Sequence, residues 1–131
     1  MRTRNALAVG LLVPALAAGA QEAARGATRV SPGGTTRVYV MAGFDDQCQS
    51  LAFPKITIVA VPAKGQVTFR EGQVTTVQSS LSGKCVGQRV QGVGIYYTAR
   101  GDASGADTFA ISARLGSGET AERVFQLTIA E

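Results

Sequence analysis

The segment that decides the fold is TFAISARLGSGETAERVFQLTI, residues 108–129. Phe109 and Ile111 alternate with small or polar residues in its first part, as Phe125 and Leu127 do in its last part. A period of two places these side chains on one face of each strand, and the Gly-Ser-Gly sequence between the strands predicts a turn. The segment therefore predicts an antiparallel hairpin with one buried face and one wet face.

The chain upstream shows the same pattern of short strands rich in Val, Ile, Thr, Phe and Tyr, separated by Gly, Pro, Asp and Ser. With the hairpin strands, the predicted strands are 35–41, 56–61, 66–69, 74–79, 90–98, 108–113 and 124–129. The apolar segment 56–61 is the best candidate for a central strand covered on both faces. Gly92 and Gly94 indicate a bulge or a close backbone approach. About seven strands predict an all-β fold, an immunoglobulin-like antiparallel β-sandwich, with a small closed barrel as the alternative.

Residues 1–20 have the features of a secretory signal peptide. Arg2 and Arg4 precede an uncharged apolar run over 6–18, and small residues precede Gln21. The run is shorter than the ~20 helical residues of a membrane anchor. We therefore expect a leader that is removed, no stable membrane insertion afterwards, and a periplasmic or secreted protein.

Removal of the leader leaves two parts of unequal length. Residues 21–34 are rich in small and polar residues and end in Pro-Gly-Gly, so they predict a flexible lead-in followed by a turn. Residues 35–131 predict one folded domain, because this length supports a single core.

Charge and composition exclude several classes of function. The chain has 13 Lys and Arg against 9 Asp and Glu, and removal of Arg2 and Arg4 with the leader leaves 11 against 9. The basic residues are scattered and Trp is absent, so we expect no nucleic-acid partner. Histidine is absent too, which excludes Ser-His and Cys-His catalytic pairs and His-ligated zinc, copper or haem. We therefore expect no cofactor and no enzymatic activity.

The only two cysteines, Cys48 and Cys85, predict a structural disulfide. An exported protein meets oxidising conditions, under which a single pair of cysteines persists as one disulfide. The two residues lie too far apart in sequence for a Cys-x-x-Cys redox motif.

Motifs in the second half of the chain resemble those of bacterial immunoglobulin-like and cadherin-like domains of the tandem-repeat type. The residues that carry the resemblance are Pro62-Ala63-Lys64-Gly65-Gln66-Val67-Thr68, Tyr97-Thr98 and Gly105-Ala106-Asp107-Thr108-Phe109. The resemblance covers about residues 56–130 and implies a β-sandwich. Members of this family usually occur as tandem arrays in long surface proteins, whereas this chain holds a single copy.

The cadherin-like resemblance makes calcium a natural candidate ligand, and Asp102 and Asp107 are the aspartates that would flank such a site. No Asp-x-Asp-x-Asp-Gly pattern concentrates oxygen ligands in one loop. We therefore expect no metal, with Asp45 and Asp46 exposed in a loop and Asp107 capping a turn.

A Ser-Lys pair is the one nucleophilic arrangement that needs no histidine, and Ser79, Ser80 and Ser82 lie near Lys84. The segment lacks the helical Ser-x-x-Lys context of such enzymes. It therefore predicts an ordinary loop.

Tyr96 and Tyr97 are adjacent on a predicted strand, so one side chain faces the core and the other faces solvent. The exposed tyrosine, with Arg100 beyond it, is the predicted binding site, because Tyr and Arg are enriched in binding hot spots.

These patterns together predict an exported, non-enzymatic binding or interaction module. Its contacts with a protein or cell-envelope component would come from loops at one end of the sandwich or from an exposed strand edge. One alternative is a small disulfide-linked inhibitor or accessory subunit of a secreted enzyme, with the loop 42–54 inserted into the enzyme's cleft. The other is an enzyme that uses two facing carboxylates.

Overall fold

The strands of this chain divide between two facing sheets. The computed structural model describes residues 26–80 and 83–131, so the predicted signal peptide lies outside the described residues. The strands are β1 (Thr28–Val30), β2 (Thr35–Met41), β3 (Lys55–Ala60), β4 (Gly65–Thr76), β5 (Arg89–Ala99), β6 (Gly105–Arg114) and β7 (Thr120–Ile129).

One sheet has four strands in the order β1-β7-β6-β3, and the other has three in the order β2-β5-β4. The pair β1–β7 is parallel and the other neighbouring pairs are antiparallel. This is the strand grouping of an immunoglobulin-like sandwich, except that the first strand lies beside the last. The described residues contain no helix, and the prediction of an all-β sandwich with about seven strands is confirmed.

The hydrophobic core lies between the sheets and follows the predicted alternation. Phe109 and Ile111 of β6 and Leu127 of β7 are at most 1% exposed, and they face Tyr97 of β5, which is 0% exposed. The ring of Phe109 lies 4.9 Å from that of Phe125, centroid to centroid. The inward faces of the β6–β7 hairpin and of β5 therefore build the core.

The domain begins earlier than the sequence predicts. Strand β1 lies inside the segment 21–34. The prediction of a flexible lead-in is therefore wrong for Thr28–Val30. Thr28 pairs with Leu127, and Val30 is 2% exposed. A strand of three residues is too short to show a period of two, so its own sequence does not predict it. The strand is defined by its pairing with β7.

Strand β3 is an edge strand, and the prediction of a central strand covered on both faces is wrong. Within the described residues it pairs with β6 alone. Ile56 and Ile58 pack against the core, whereas Val59 is 57% exposed and Val61, just beyond the strand, is 77% exposed. An apolar run does not show how many sheet neighbours a strand has, so only the pairing places β3 at the edge.

One long strand, β4, replaces the two that the sequence predicts at 66–69 and 74–79. It pairs with β5 on both sides of a shift in register between Arg70 and Gln73. The Glu-Gly pair between them forms a bulge rather than a turn, with Gly72 at φ 75°. The predicted strand break is therefore an irregularity within one strand.

Strand β5 shows the predicted close backbone approach at its glycines, while the bulges of this sheet lie in β2 and β4. A Cβ atom on Gly92 would lie 2.3 Å from the Met41 carbonyl oxygen. Any side chain at this position would therefore force β2 away from β5.

A buried hydrogen bond joins the two sheets at one end of the sandwich. The Tyr97 hydroxyl on β5 donates to Asp107 Oδ2 on β6 at 2.6 Å. Asp107 also accepts the backbone N–H groups of Ala63 at 3.0 Å, Lys64 at 2.9 Å and Thr108 at 2.9 Å. Each carboxylate oxygen thus accepts two hydrogen bonds, and the β3–β4 turn, which crosses between the sheets, is tied to both of them.

These contacts shift the pKa values of the pair in opposite directions. Burial raises the pKa of Tyr97, and the hydrogen bond to Asp107 raises it further. Burial by itself would also raise the pKa of Asp107, but the hydrogen bonds from Tyr97, Ala63, Thr108 and Lys64 outweigh it and hold that pKa below its ordinary value. At neutral pH the pair is a neutral phenol and an ionised carboxylate.

Gly65, the glycine of the turn motif, leaves room for the tyrosine ring. A Cβ atom at this position would lie 2.7 Å from Cζ and Oη of Tyr97 and 2.3 Å from the Thr98 carbonyl oxygen. The motif glycine is therefore required by packing against Tyr97.

We expect Tyr97→Phe to lower the free energy of unfolding by about 1–3 kcal/mol, because it leaves a buried carboxylate short of one donor. Urea denaturation measures the change. The control is Tyr39→Phe, whose hydroxyl accepts from Arg123 Nη1 at 3.2 Å in an exposed contact. We expect the control to change stability by less than about 0.5 kcal/mol, and equal losses in both variants would contradict the role of the buried bond.

The lowered pKa of Asp107 predicts a contribution to stability that depends on pH. Because the unfolded carboxyl titrates near pH ~3.9, ionised Asp107 stabilises the fold above that value, and the contribution is lost as pH falls through the folded-state pKa. We expect the stability difference between the wild type and Asp107→Asn to be largest near neutral pH and to shrink in acid. Urea titrations across this range test this, and a difference independent of pH would refute it.

Candidate functional site

Three loops cluster at the end of the sandwich opposite the Tyr97–Asp107 hydrogen bond. They are the β2–β3 loop at 42–54, the β4–β5 loop at 77–88 and the β6–β7 turn at 115–119. They meet because each follows a strand that runs toward this end. We call this region the disulfide end.

A disulfide between Cys48 and Cys85 joins the two longer loops, as predicted, with 5.5 Å between the Cα atoms. Both cysteines have positive φ, at 63° and 68°, a backbone region that residues other than glycine rarely adopt. By the chain-entropy estimate, a ring of this size stabilises the fold by about 4 kcal/mol. The disulfide is compatible with a location outside the reducing cytosol.

Hydrogen bonds within the β2–β3 loop organise it as a miniature hairpin. Asp45 Oδ1 accepts the backbone N–H groups of Gln47 and Gln49, both at 2.9 Å. Phe44 and Ser50 form an isolated β-bridge beneath this tip. The loop is therefore pre-organised by its own contacts as well as by the disulfide.

Further contacts hold this loop against its neighbours. Lys84 Nζ lies 3.4 Å from Asp46 Oδ1, and the Gln91 backbone N–H donates to Ser50 Oγ at 3.0 Å. Asp46 is nevertheless exposed, as predicted, while Asp45 is half-buried. The sequence offers no signal for these contacts beyond the cysteines.

A cavity of about 620 Å³ opens beside these loops. It lies between β2 and its following loop on one side and the start of β7 on the other, and its lining includes Tyr39, Met41, Phe44, Leu115, Glu119 and Glu122. A smaller trough of about 280 Å³ adjoins it and shares Tyr39 and Phe44. Among the described residues, β1 covers only 127–129 of β7 and leaves the start of that strand beside the cavity.

The rim of the cavity carries both signs of charge. The Arg123 guanidinium lies 4.2 Å from the Tyr39 ring centroid and donates to its hydroxyl, so this cation is engaged with the ring. Glu119 accepts a hydrogen bond from the Ser117 hydroxyl at 3.1 Å. Within residues 26–80 and 83–131, no salt bridge involves Glu119 or Glu122. The rim therefore offers two carboxylates to a basic group.

The predicted binding residues do not form one surface. Tyr97 lies in the core, so Tyr96 is the tyrosine to which the binding prediction applies. Tyr96 lies on the outer face of β5, where its hydroxyl donates to Gln73 Oε1 at 2.6 Å and Arg70 lies 4.6 Å from its ring centroid. Arg100 lies at the opposite end from the disulfide and donates to the Ala63 carbonyl oxygen at 2.9 Å. Tyr96 and Arg100 therefore contact different residues.

The calcium candidates do not form one site either. Both oxygens of Asp107 are occupied by the four hydrogen bonds described above, so Asp107 caps the turn as predicted. Asp102 is exposed and lies 3.6 Å from the Arg100 guanidinium. The described residues include no group of three or more His, Cys, Asp or Glu side chains that could hold a metal ion.

The described part of the serine cluster includes a structural contact of Ser80. The Ser80 hydroxyl donates to the Lys84 carbonyl oxygen at 2.8 Å rather than to its amine. Ser82 lies outside the described residues. These contacts fit the predicted loop.

Comparisons with protein-family models, curated proteins and solved structures find no significant match to this chain. In the part of the chain that the structure describes, no helix has the length and apolarity needed to span a membrane.

We expect the double variant Cys48→Ser, Cys85→Ser to lose roughly 2–4 kcal/mol of stability and to become more sensitive to trypsin at Lys84. Cleavage at Lys64, in the turn held by Asp107, is the internal control. Mass spectrometry of timed digests measures both rates. A rise at Lys84 relative to Lys64 is the expected result, and a parallel rise would show that the disulfide does not hold the loops specifically.

Proposed function

We propose that this chain is an exported, non-enzymatic binding module that contacts a protein or cell-envelope component through its disulfide end. The observation that carries the proposal is the fixed geometry of two long loops, joined by Cys48–Cys85 beside a cavity of about 620 Å³. Binding residues concentrate on loops held by a rigid scaffold. Pre-organised loops also lose less conformational entropy when they bind.

Export is part of this proposal. It is supported by the leader-like residues 1–20 and by a disulfide, which persists in the periplasm or outside the cell.

Kinship with bacterial immunoglobulin-like and cadherin-like domains is likewise proposed. It is supported by the way the resembling residues meet in space. The turn at 62–65, Tyr97 and Asp107 share one network of hydrogen bonds and contacts. The proposed kinship implies a fold and does not name a function or a partner.

A second candidate function is that of an inhibitor or an accessory subunit of a secreted enzyme. The miniature hairpin at the tip of the loop 42–54 favours it, because Asp45 and the disulfide hold an exposed segment in one conformation. Inhibitory loops that enter a cleft bind tightly when they are rigid before binding. If this function is correct, replacing 42–54 by a short Gly-Ser turn abolishes inhibition of that enzyme.

Site-specific photo-crosslinking in the native host tests the proposed function. We expect a photo-crosslinking residue at Gln47, which is exposed at the disulfide end, to capture a defined partner. The matched control places the same residue at Ser104, which is exposed at the opposite end. Reduction of the disulfide should lower the yield at Gln47 without raising that at Ser104.

Two results would contradict the proposal. Equal capture at both positions would show that the disulfide end is not the contact surface. Turnover of a substrate that depends on Glu119 and Glu122 would show that the cavity is an active site built on carboxylates.

A further inference from the structure

Strand β7 has an open edge next to the cavity. Strand β1 pairs with β7 only at 127–129. Along 120–126, no described residue pairs with the side of β7 that faces away from β6. Seven residues of a ten-residue strand therefore present an unpaired edge.

The hydrogen-bond pattern shows which backbone groups point outward. In an antiparallel pair, residues alternate between bonding the partner strand and pointing away from it. The Leu115 N–H donates to the Glu119 carbonyl oxygen at 2.8 Å, so residue 119 bonds the strand that pairs with β7. Because the register of β6 and β7 then continues without a shift, the backbone groups of the odd-numbered residues of β7 form the hydrogen bonds to β6. The Ala130 N–H correspondingly donates to Val30 of β1 at 3.0 Å. The N–H and C=O groups of Glu122 and Val124 therefore point to the open edge.

Shifts in register interrupt the edge strands β2, β3 and β4 of the two sheets. The pairing shifts between Arg37 and Tyr39 in β2, between Ile58 and Ala60 in β3, and at the glycine bulge in β4. Such bulges protect edges from pairing with other chains. The pairing of β7 with β6 continues without a shift over all ten residues. The open edge of β7 is therefore the one that is regular enough to accept another strand.

We propose that the open edge of β7 binds an extended segment of a partner protein by strand addition, in line with β1. Backbone hydrogen bonds to an exposed sheet edge are a general mode of peptide recognition. This inference rests on the proposed function and names the mode by which the partner binds.

The chemistry of the partner segment follows from what surrounds the edge. In β1, which occupies the same edge of β7 at 127–129, Val30 is buried in the core and Arg29 is exposed. Alongside 120–126 the inward side is the cavity, with Tyr39, Met41 and Leu115 in its lining. We therefore assign apolar side chains to alternate positions of the segment.

The carboxylates on the rim of the cavity favour a basic residue in the segment. Glu119 and Glu122 are both exposed, and neither has a salt bridge within the described residues. A lysine or arginine of the segment would complement these carboxylates.

Amide hydrogen exchange measured by NMR tests the proposal with a defined probe. The probe is a synthetic peptide of about eight residues with valine at alternate positions and one lysine, a length typical of a strand. In the free protein, we expect the amides of Glu122 and Val124 to exchange rapidly and those of Arg123 and Phe125 to be protected. Saturating peptide should slow exchange at Glu122 and Val124 at least about tenfold.

Two results of this experiment would overturn the proposal. One is protection of Glu122 and Val124 in the free protein, because the edge would then be occupied by the chain itself. The other is unchanged exchange at both residues with peptide in excess.

A pair of variants at Val124 separates the edge from its side chain. Val124→Pro removes an N–H group that points to the open edge, and it breaks no hydrogen bond to β6. Proline is tolerated at such positions of an edge strand. Val124→Thr keeps the N–H group and a β-branched side chain. Circular dichroism and thermal melting check that both variants fold.

We expect the proline variant to lose peptide binding at least about tenfold while the threonine variant keeps it. Equal loss in both variants would overturn strand addition in favour of side-chain recognition. Crosslinking at Gln47 is the separate readout for the proposed function. If crosslinking persists while peptide binding is absent, strand addition alone is refuted. If crosslinking is absent as well, the proposed function is refuted too.

Discussion

The structure depends above all on the hydrogen bond between Tyr97 and Asp107. It joins one strand from each sheet, and the same carboxylate holds the β3–β4 turn, where the chain crosses from one sheet to the other. A buried ionised carboxylate is tolerated only when its oxygens are satisfied, and here each accepts two hydrogen bonds. The tyrosine ring in turn requires Gly65. Three short motifs, distant in sequence, therefore form one interlocked unit at one end of the sandwich.

At the opposite end, where the loops are longer, a disulfide holds them together. Short turns at the Tyr97–Asp107 end can be fixed by backbone hydrogen bonds to one carboxylate. The loops 42–54 and 77–88 close over more residues, so ordering them costs more conformational entropy. The Cys48–Cys85 bond removes much of that cost, and the turn around Asp45 orders the tip. A rigid scaffold and fixed loops are the physical basis for proposing a binding module.

The edges of the two sheets differ in how they are protected. Bulges interrupt β2, β3 and β4, whereas β7 is regular and, within residues 26–80 and 83–131, is covered by β1 only at 127–129. A regular open edge beside a partly apolar cavity is unusual in a sandwich that otherwise shields its edges. This contrast connects the proposed binding role with a specific mode of contact. The disulfide end and the open edge of β7 meet at the cavity, so one partner can contact both.

The sequence by itself determined the fold class, the core face of the β6–β7 hairpin and the disulfide, because a period of two and a single pair of cysteines are local signals. Only the tertiary structure decided which strands lie at the edges. Val59 belongs to an apolar run that predicts a buried strand, yet β3 has one neighbour in the described part of the chain and Val59 is exposed. The structure likewise decided that Tyr97 serves the core, that Asp107 serves a turn, and that three residues before Ser31 form a strand. Each of these outcomes depends on a partner distant along the chain, which no local pattern specifies.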